Sequence, residues 1–569
     1  MKIFKLFPLA CAALMMSACS SDDPSNGGST GVNNPQYLAV NIVNVGTTPT
    51  RATDYENGTT AESEIKKVRF YFFNGDGSPY LIKNPGITGV EGGGSVNYLE
   101  ATPGDDTTTP GSSNVEKITQ TVLVINGEQN AAPSAIVAVV NPETVDAATL
   151  KNGGTMRLSE LRYSAVSNNF YKKDASTGAV SDFVMSNSVY VNAGEDVCAS
   201  LVAGHVATSA DDAKAKPVDL YVERVVAKVT ANVDNTAFEL GDGSNWDNTK
   251  YGTKTAVGKI GDNDVYAVIE GWGLASENGK AEVEKQVNKS WTDGNLGFSS
   301  PWTTSDYHRC FWEQSVAFDP GISGNQPVNH TYNDLKAKMN DVLYTLPNTP
   351  ASKVTDLRNN DLTKLAVAVT LKYKDADGNW HEADICRYNG VQFLGVDNLK
   401  KQVALTFSQY YTSTDATNYT QLSASDIDFK DPDGTMQQYR VTPTLVNDPA
   451  KKYYTKTTSG TTPTFTEVNK ATVLAAIEAS KAEIRKGGKA YYYVPIKHLG
   501  NTGEVAEYGI VRNHFYKITL SGIKGFGTPV YNPDQVVKPV VPTYEDTYLA
   551  ARVQVLQWRV VNQNANLGE

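Results

Sequence analysis

Residues 37–45 read YLAVNIVNV, and Leu38, Val40 and Ile42 fall on one side of an extended chain. Strand side chains alternate between faces with period two, so this spacing predicts a strand with one buried face. The next segment, GTTPTRA (residues 46–52), contains a proline and no large apolar side chain, which reads as an exposed loop. Alternation returns at residues 64–73, with Val68, Phe70 and Phe72 in phase, and ends in the turn sequence Asn74-Gly75-Asp76-Gly77. Near-continuous apolar runs at 121–126 and 135–141 predict strands buried on both faces. Further strands are expected at 189–191, 218–229, 265–272, 365–373, 390–393, 403–410, 491–496 and 515–523. Helix is expected at 332–343, where Leu335, Met339, Val342 and Leu343 share a face. It is expected again at 470–486, N-capped by Asn469 and stopped by Gly487-Gly488, and briefly at 158–165. Such a strand-rich chain belongs to the all-β class, with small helical insertions.

Composition agrees with that reading and excludes several functions. The 569 residues include 30 Tyr, 46 Gly and 25 Pro, residues of strands and turns. Net charge is −11, which argues against nucleic acid as a partner, since that needs a basic face. The sequence has neither a Gly-x-Ser-x-Gly nor a phosphate-binding loop, and no triad order is identifiable, so no enzyme is expected. The acidic run from Asp426 to Gly434 departs from calcium-loop spacing and reads as a solvated turn. His308-Arg309-Cys310 lacks a second ligand cluster, and His514 sits at a strand start. No metal or cofactor is expected. Trp291, Trp302 and Trp312 read more readily as core than as a sugar platform.

The N-terminus is an address. Two lysines, an apolar run over residues 6–16 and the small pair Ser17-Ala18 lead to Cys19. That is a secretory signal (residues 1–18), and the apolar run is too short to stay in a bilayer as a spanning helix. Residues 19–35 are polar, with the acidic stretch Ser20-Ser21-Asp22-Asp23, and read as a flexible tether. Without the leader and Cys19, three cysteines remain, Cys198, Cys310 and Cys386, which read best as buried free thiols.

The C-terminus carries the strand YLAARVQVLQWRVV (residues 548–561). Val553 and Val555 share one phase, and Leu556, Trp558 and Val560 the other, a switch that suggests a bulge or a strand meeting two surfaces. Residues 529–547 carry Pro529, Pro533, Pro539 and Pro542 and no glycine, the composition of a semi-rigid spacer. A strand on such a spacer can reach another molecule and add to its sheet.

Several stretches together resemble the Bacteroidales fimbrillins, or type V pilins, and most closely the stalk subunit of the Mfa-type minor fimbriae. They are the lipobox ending at Cys19, Thr50-Arg51-Ala52, VERVVAKV (222–229), LPNT (346–349), VRNHFYKI (511–518) and VQVLQWRV (553–560). The insertion around 470–486 has no counterpart in the resemblance. What the resemblance implies is two tandem β-sandwich domains, taken as residues 36–216 and 217–528, followed by the linker and a donor strand at 548–569. It further implies a precursor lipidated (palmitate and diacylglycerol) at Cys19 and anchored at the outer membrane. A trypsin-like protease then cuts between Arg51 and Ala52 and the first strand leaves. The donor strand of another copy, through Val553, Val555, Leu556, Trp558 and Val560, fills the groove. The implied partners are further copies of the chain in a head-to-tail filament, tip and anchor fimbrillins, the maturation protease, and host or bacterial surface receptors, so that the cell-surface fimbrium supports adhesion. A tip or anchor fimbrillin and a monomeric glycan-binding lipoprotein are the alternatives.

Lipidation has a direct test. Cells fed an alkynyl palmitate analogue should label the wild-type precursor at Cys19, and Cys19→Ala should abolish the label. Equal labelling of both would refute the assignment.

Overall fold

The computed structural model describes residues 36–45, 58–83, 95–102, 106–107, 115–125, 127, 131–167, 170–304, 308–315, 327–357, 362–432, 439–534, 536–537, 548–557 and 562–563. Cys19, Arg51, Ala52, Trp558 and Val560 lie outside these residues, as do the leader and the tether. Among the described residues, no helix is long and apolar enough to cross a membrane.

The chain is all-β, arranged as two sandwich domains. The first is built on one ten-stranded sheet. Its central path runs Tyr98–Ala101, Val68–Phe73, Ala135–Val140, Met185–Asn187, Val218–Arg224, Gln36–Val45 and Val115–Ile125. The sheet closes over its own apolar face. Leu38, Val40 and Ile42 from one end of the path share a core with Val68, Phe70 and Phe72 from the other. The opposite phase, Tyr71 and Phe73 with Val137 and Val139, belongs to a second core. Both phases of Val68–Phe73 and Ala135–Val140 are therefore buried, which is why those sequences are apolar almost throughout.

In the second domain two sheets face each other. A five-stranded sheet runs Val342–Thr345, Ala227–Val233, His514–Lys524, Tyr548–Gln557, Asn562–Gln563. An eight-stranded sheet is centred on Asn263–Ala275, Lys364–Lys374 and Lys489–Pro495. Val229, Ala231, Tyr516, Ile518 and Leu520 from the first meet Ile269, Val367, Val369, Tyr492 and Val494 from the second. The two domains repeat one pairing. In each, the first strand lies parallel to a late strand: Gln36–Val45 beside Val218–Arg224, and Ala227–Val233 beside His514–Lys524.

Several sequence expectations change. The strand expected over 218–229 is two strands, and the expected boundary at 216/217 moves. Val218–Arg224 pairs with the first strand in the first sheet, and the chain crosses at Val225-Val226 to begin the second sheet at Ala227. Both crossing valines are buried, so hydropathy shows no break there. The helix expected at 332–343 is a single 3-10 turn, Tyr332–Asp334, followed by strand Val342–Thr345. Pairing overrides the local period: Ala337 bridges Trp272, and Asn340, at a φ of 71°, donates its N–H to Ala231 O. The expected helix at 470–486 ends at Glu478, because Glu483–Arg485 pairs with Ile385–Tyr388. The expected strand at 403–410 is instead the end of helix Val396–Thr406, whose Leu399 and Val403, four residues apart, are buried.

Both helices belong to a module between Lys364–Lys374 and Lys489–Pro495. Those two strands pair directly with each other, so the module is an insertion in the sheet's connection. It has its own core, including Cys386, Tyr388, Leu399, Val403, Tyr453, Val473 and Ile477. Cys198, Cys310 and Cys386 are buried and form no disulfide among the described residues. Trp302 and Trp312 are core residues, and Asp426 is held by Ser423 and Lys451.

The domains are joined by buried charge. Lys285 Nζ of the second domain lies 2.7 Å from Glu223 Oε1 of the first; within the second domain Arg512 Nε lies 2.8 Å from Glu313 Oε2, and all four side chains are enclosed. Arg512 also donates to Val283 O and Glu282 O, and Ser186 Oγ of the first domain donates to Val283 O. Glu284 beside them differs. It is fully buried, neither carboxyl oxygen takes a hydrogen bond, and the nearest cation, Arg162 Nε, is 4.0 Å away. Burial pushes its carboxyl up to about 8 against the opposing pull of Arg162 and Arg512.

The sign of the consequence follows from linkage. Between the ordinary value of 4.5 and about 8, the folded protein keeps a proton that the unfolded chain has released, so this group lowers stability as pH rises through that window. Glu284→Gln preserves the neutral form at every pH. It should melt like wild type near the acid end of the window and higher than wild type at pH of about 8.5. Parallel melting curves across the range would contradict this.

Candidate functional site

The first strand, Gln36–Val45, lies in the interior of its sheet. Along its whole length it pairs antiparallel with Val115–Ile125, in register from Gln36↔Ile125 to Asn44↔Lys117, with a bulge before Val45. On its other edge, Val40 to Asn44 pair parallel with Val218 to Val222, and Tyr37 and Leu38 pair with Ala207 and Val206. A short helix, Ala210–Lys214, packs against the strand; Ser209 caps it through the N–H of Asp212. Leu38, Ala39, Val40 and Ile42 have no solvent exposure.

This strand is therefore a plug. Taking it out leaves Val115–Ile125 and Val218–Arg224 with unpaired backbone edges facing one another. It also opens the apolar pockets formed by Phe70, Leu123, Ile136, Leu220 and their neighbours. Burying Leu38, Val40 and Ile42 is worth roughly 1.5–3 kcal/mol each, and each ladder bond adds about 1 kcal/mol. Those terms are available to any strand with the same alternation that replaces the plug.

The next described segment, from residue 58, is anchored at its start. Thr59 and Glu62 form a capping box around helix Thr60–Ser63, with Thr59 N–H donating to Glu62 Oε2 at 2.6 Å. Glu62 is fully buried and also meets Lys228 Nζ at 2.8 Å and the Tyr344 hydroxyl. The Thr-x-x-Glu spacing at Thr59–Glu62 is a sequence signal for a helix start that the sequence reading passed over. Its pairing with Lys228, more than 160 residues away, has no local signature.

The C-terminal strand corrects an expectation. Tyr548–Gln557 pairs antiparallel with His514–Lys524 of its own second domain, from Lys524↔Tyr548 to His514↔Gln557. Val553 stands opposite Ile518, Val555 opposite Tyr516, and Leu556 opposite Phe515. The register shift lies in the partner strand, between Leu520 and Gly522, rather than at the phase switch in the C-terminal strand. Asn562–Gln563 folds back onto Gln554 and Val553 and forms the edge of the sheet. The expected spacer at 529–547 does not hold its first residues away from the domain. Thr528–Pro529 pairs with Ala490 and Tyr491, Val530 and Val537 are buried in a common cluster, and Val537 N–H donates to His330 O. Proline's missing donor is compatible with this path because the segment runs along a sheet edge.

Among the described residues, no group of three or more His, Cys, Asp or Glu is placed to hold a metal. His514 is fully buried; burial, with Arg309 and His498 nearby, holds its ring well below the ordinary value, so it is neutral. His498 is tied to Tyr516 Oη and Phe311 O.

Residues 485–564 match the family model described as major fimbrial subunit protein type IV, fimbrillin, C-terminal. The matched segment holds His514–Lys524 and the strand paired to it, and it begins where the inserted module ends. The resemblance of the chain to the Bacteroidales fimbrillins is thus supported over that region. Solved structures similar to this chain include a Parabacteroides distasonis protein provisionally described as a cell adhesion protein, with 11% identity and a TM-score of 0.36, covering 94% of this chain and 99% of that one. A fimbrilin (fimA) of Porphyromonas gingivalis has 13% identity and a TM-score of 0.33, covering 93% and 98%. The tip fimbrial protein Mfa3 of Porphyromonas gingivalis has 9% identity and a TM-score of 0.29, covering 93% and 100%. Superpositions this loose carry no functional argument. No curated protein sequence matches the chain.

The plug has a stability signature. Ile42→Ala should lower the stability of the uncleaved protein by about 2–5 kcal/mol, the usual cost of emptying a closed aliphatic site. Denaturant unfolding of the precursor measures it, and a loss below about 1 kcal/mol would mean that the strand is not packed as described.

Proposed function

We propose that this chain, whose residues 485–564 carry a fimbrillin C-terminal region, is the stalk subunit of a surface fimbrium that polymerises by donor-strand exchange. The observation that carries the reading is the first strand: paired on both edges, buried on its apolar face, and followed by a loop sequence containing Arg51. In this reading the precursor reaches the surface as a lipoprotein anchored at Cys19. A protease of trypsin-like specificity cuts between Arg51 and Ala52, residues 19–51 depart with the lipid on Cys19, and the groove opens.

The C-terminal strand of a second copy then fills the groove. Val553 and Val555, two residues apart, match the period of Leu38, Val40 and Ile42. In the isolated subunit that strand is stored on His514–Lys524 and must leave it to donate, so the monomer is self-paired and exchange is a trade of one ladder for another. The head-to-tail contact does not close on itself, so it propagates as a filament. Tip and anchor fimbrillins and surface receptors are the remaining partners of this reading. The chain's role is structural, in adhesion, with no catalysis assigned.

Two experiments test the two ends. Arg51→Ala should keep its precursor length and give no ladder on a gel of unheated protein; filaments from this variant would refute maturation at Arg51. For the donor strand, the register pair Thr519 and Arg552 offers a lock. Thr519→Cys with Arg552→Cys, oxidised, should hold the strand on its own domain and stop polymerisation, and reductant should restore it. Polymerisation of the locked, fully oxidised protein would refute donation by this segment.

A further inference from the structure

The proposed excision falls in the sequence between the first strand and Thr59, yet the residues just beyond it contain two more sites of the same specificity, Lys66 and Lys67. Their side chains are 51% and 34% exposed. A protease that continued past Arg51 to Lys67 would leave Val68–Phe73, whose Val68, Phe70 and Phe72 line the core beneath the groove, as a bare N-terminus.

Glu62 stands between the two positions. Its carboxylate is fully enclosed and satisfied by three separate elements: Thr59 N–H in its own segment, Lys228 Nζ in the first strand of the second domain, and the Tyr344 hydroxyl in strand Val342–Thr345. Its main-chain carbonyl accepts from Arg224 Nε at 2.7 Å, and Arg224 Nη1 reaches Asn513 Oδ1 at 3.1 Å. Arg224 ends the strand that forms one wall of the groove, and Asn513 precedes the strand on which the C-terminal segment is stored. Burial alone would raise the Glu62 carboxyl, but Lys228, Tyr344 and Thr59 more than offset it, and the net position is below the ordinary 4.5. The group is therefore an anion in the folded protein, and removing it would leave Lys228 buried against a neutral partner.

We infer that Glu62 is the stop for strand excision: its contacts with Lys228, Tyr344 and Arg224 hold residues 59–62 on the domain junction, ahead of Lys66 and Lys67, whose backbone is bonded to Asn141, so that processing ends at Arg51 and Val68–Phe73 keeps the segment that tethers its start. The inference deepens the maturation reading above and rests on it. Glu62 is a positioning residue, acting through the segment it holds. Cleavage by a protease needs several residues of locally extended, accessible chain, and the rate tracks how often the anchored segment opens.

The test is limited trypsin digestion of the precursor, read by intact mass and N-terminal sequence. Wild type should stop at a product beginning with Ala52. Glu62→Gln should convert that product onward to species beginning at Lys67 or Val68, at a rate roughly tenfold or more above wild type, the change expected for losing a hydrogen bond to a charged group. Tyr344→Phe removes a single hydroxyl and should give the same products with a smaller increase; it decides the matter if Glu62→Gln fails to fold. Thr60→Ala, on the same segment, exposed and outside the contacts of the Glu62 carboxylate, should digest as wild type. If Glu62→Gln and Tyr344→Phe both stop at Ala52 as wild type does, Glu62 is not the stop. Failure of wild type to be cut at Arg51 at all would instead count against the maturation reading, while the comparison at Lys66 and Lys67 would still report on the anchor.

Discussion

Everything in the first domain depends on a strand that is hydrogen-bonded along both edges and yet sits next to the chain's N-terminal segment. Gln36–Val45 holds Val115–Ile125 and Val218–Arg224 apart and supplies Leu38, Val40 and Ile42 to the core they share. An interior strand is ordinarily the least removable part of a sheet, because its loss costs two ladders and a row of buried side chains. Here a single break in the loop after it would leave only noncovalent contacts holding it. The same pairing recurs in the second domain, where Ala227–Val233 lies beside His514–Lys524. That strand runs on directly from the first domain through Val225-Val226, so no comparable break can free it.

The charge network between the domains fits this asymmetry. Lys285 with Glu223, and Arg512 with Glu313, are buried pairs whose isolated members would be costly. The first of them binds the wall strand Val218–Arg224 to the second domain independently of the plug, and Arg309 adds to it at 3.5 Å from Glu223. A domain that is to lose a central strand needs its remaining strands held from outside, and these contacts come from Lys285, Arg309 and Asn513 of the second domain, which meet Glu223 and Arg224. The family match over residues 485–564 includes Asn513, which accepts from Arg224, and the C-terminal strand, so the matched region contributes both to this brace and to the stored strand.

The inserted module bears a different relation to the rest. It interrupts the connection between two strands that pair with each other regardless, and its core is separate. The sheet beneath it is complete without it, which is consistent with its absence from the stretches that resemble the fimbrillins.

Period-two alternation at Leu38, Val40 and Ile42, and at Val68, Phe70 and Phe72, settled the strands and the all-β class by itself, because side-chain direction in a strand depends only on residue parity. The leader, the tether and the Arg51 loop are expectations of local composition and lie outside the described residues. Three things were decided by tertiary structure alone. The segment at 332–343 has a helical period, but pairing to Trp272 and Ala231 outweighed a preference worth a few tenths of a kcal/mol per residue. The run at 218–229 shows no hydropathy break because the crossing residues, Val225 and Val226, are themselves buried between the domains. The resting place of the C-terminal strand depends on an edge, His514–Lys524, and on a proline-containing segment that packs down through Val530 and Val537. Residues far apart in the chain form each of these contacts, and no window of sequence contains both partners.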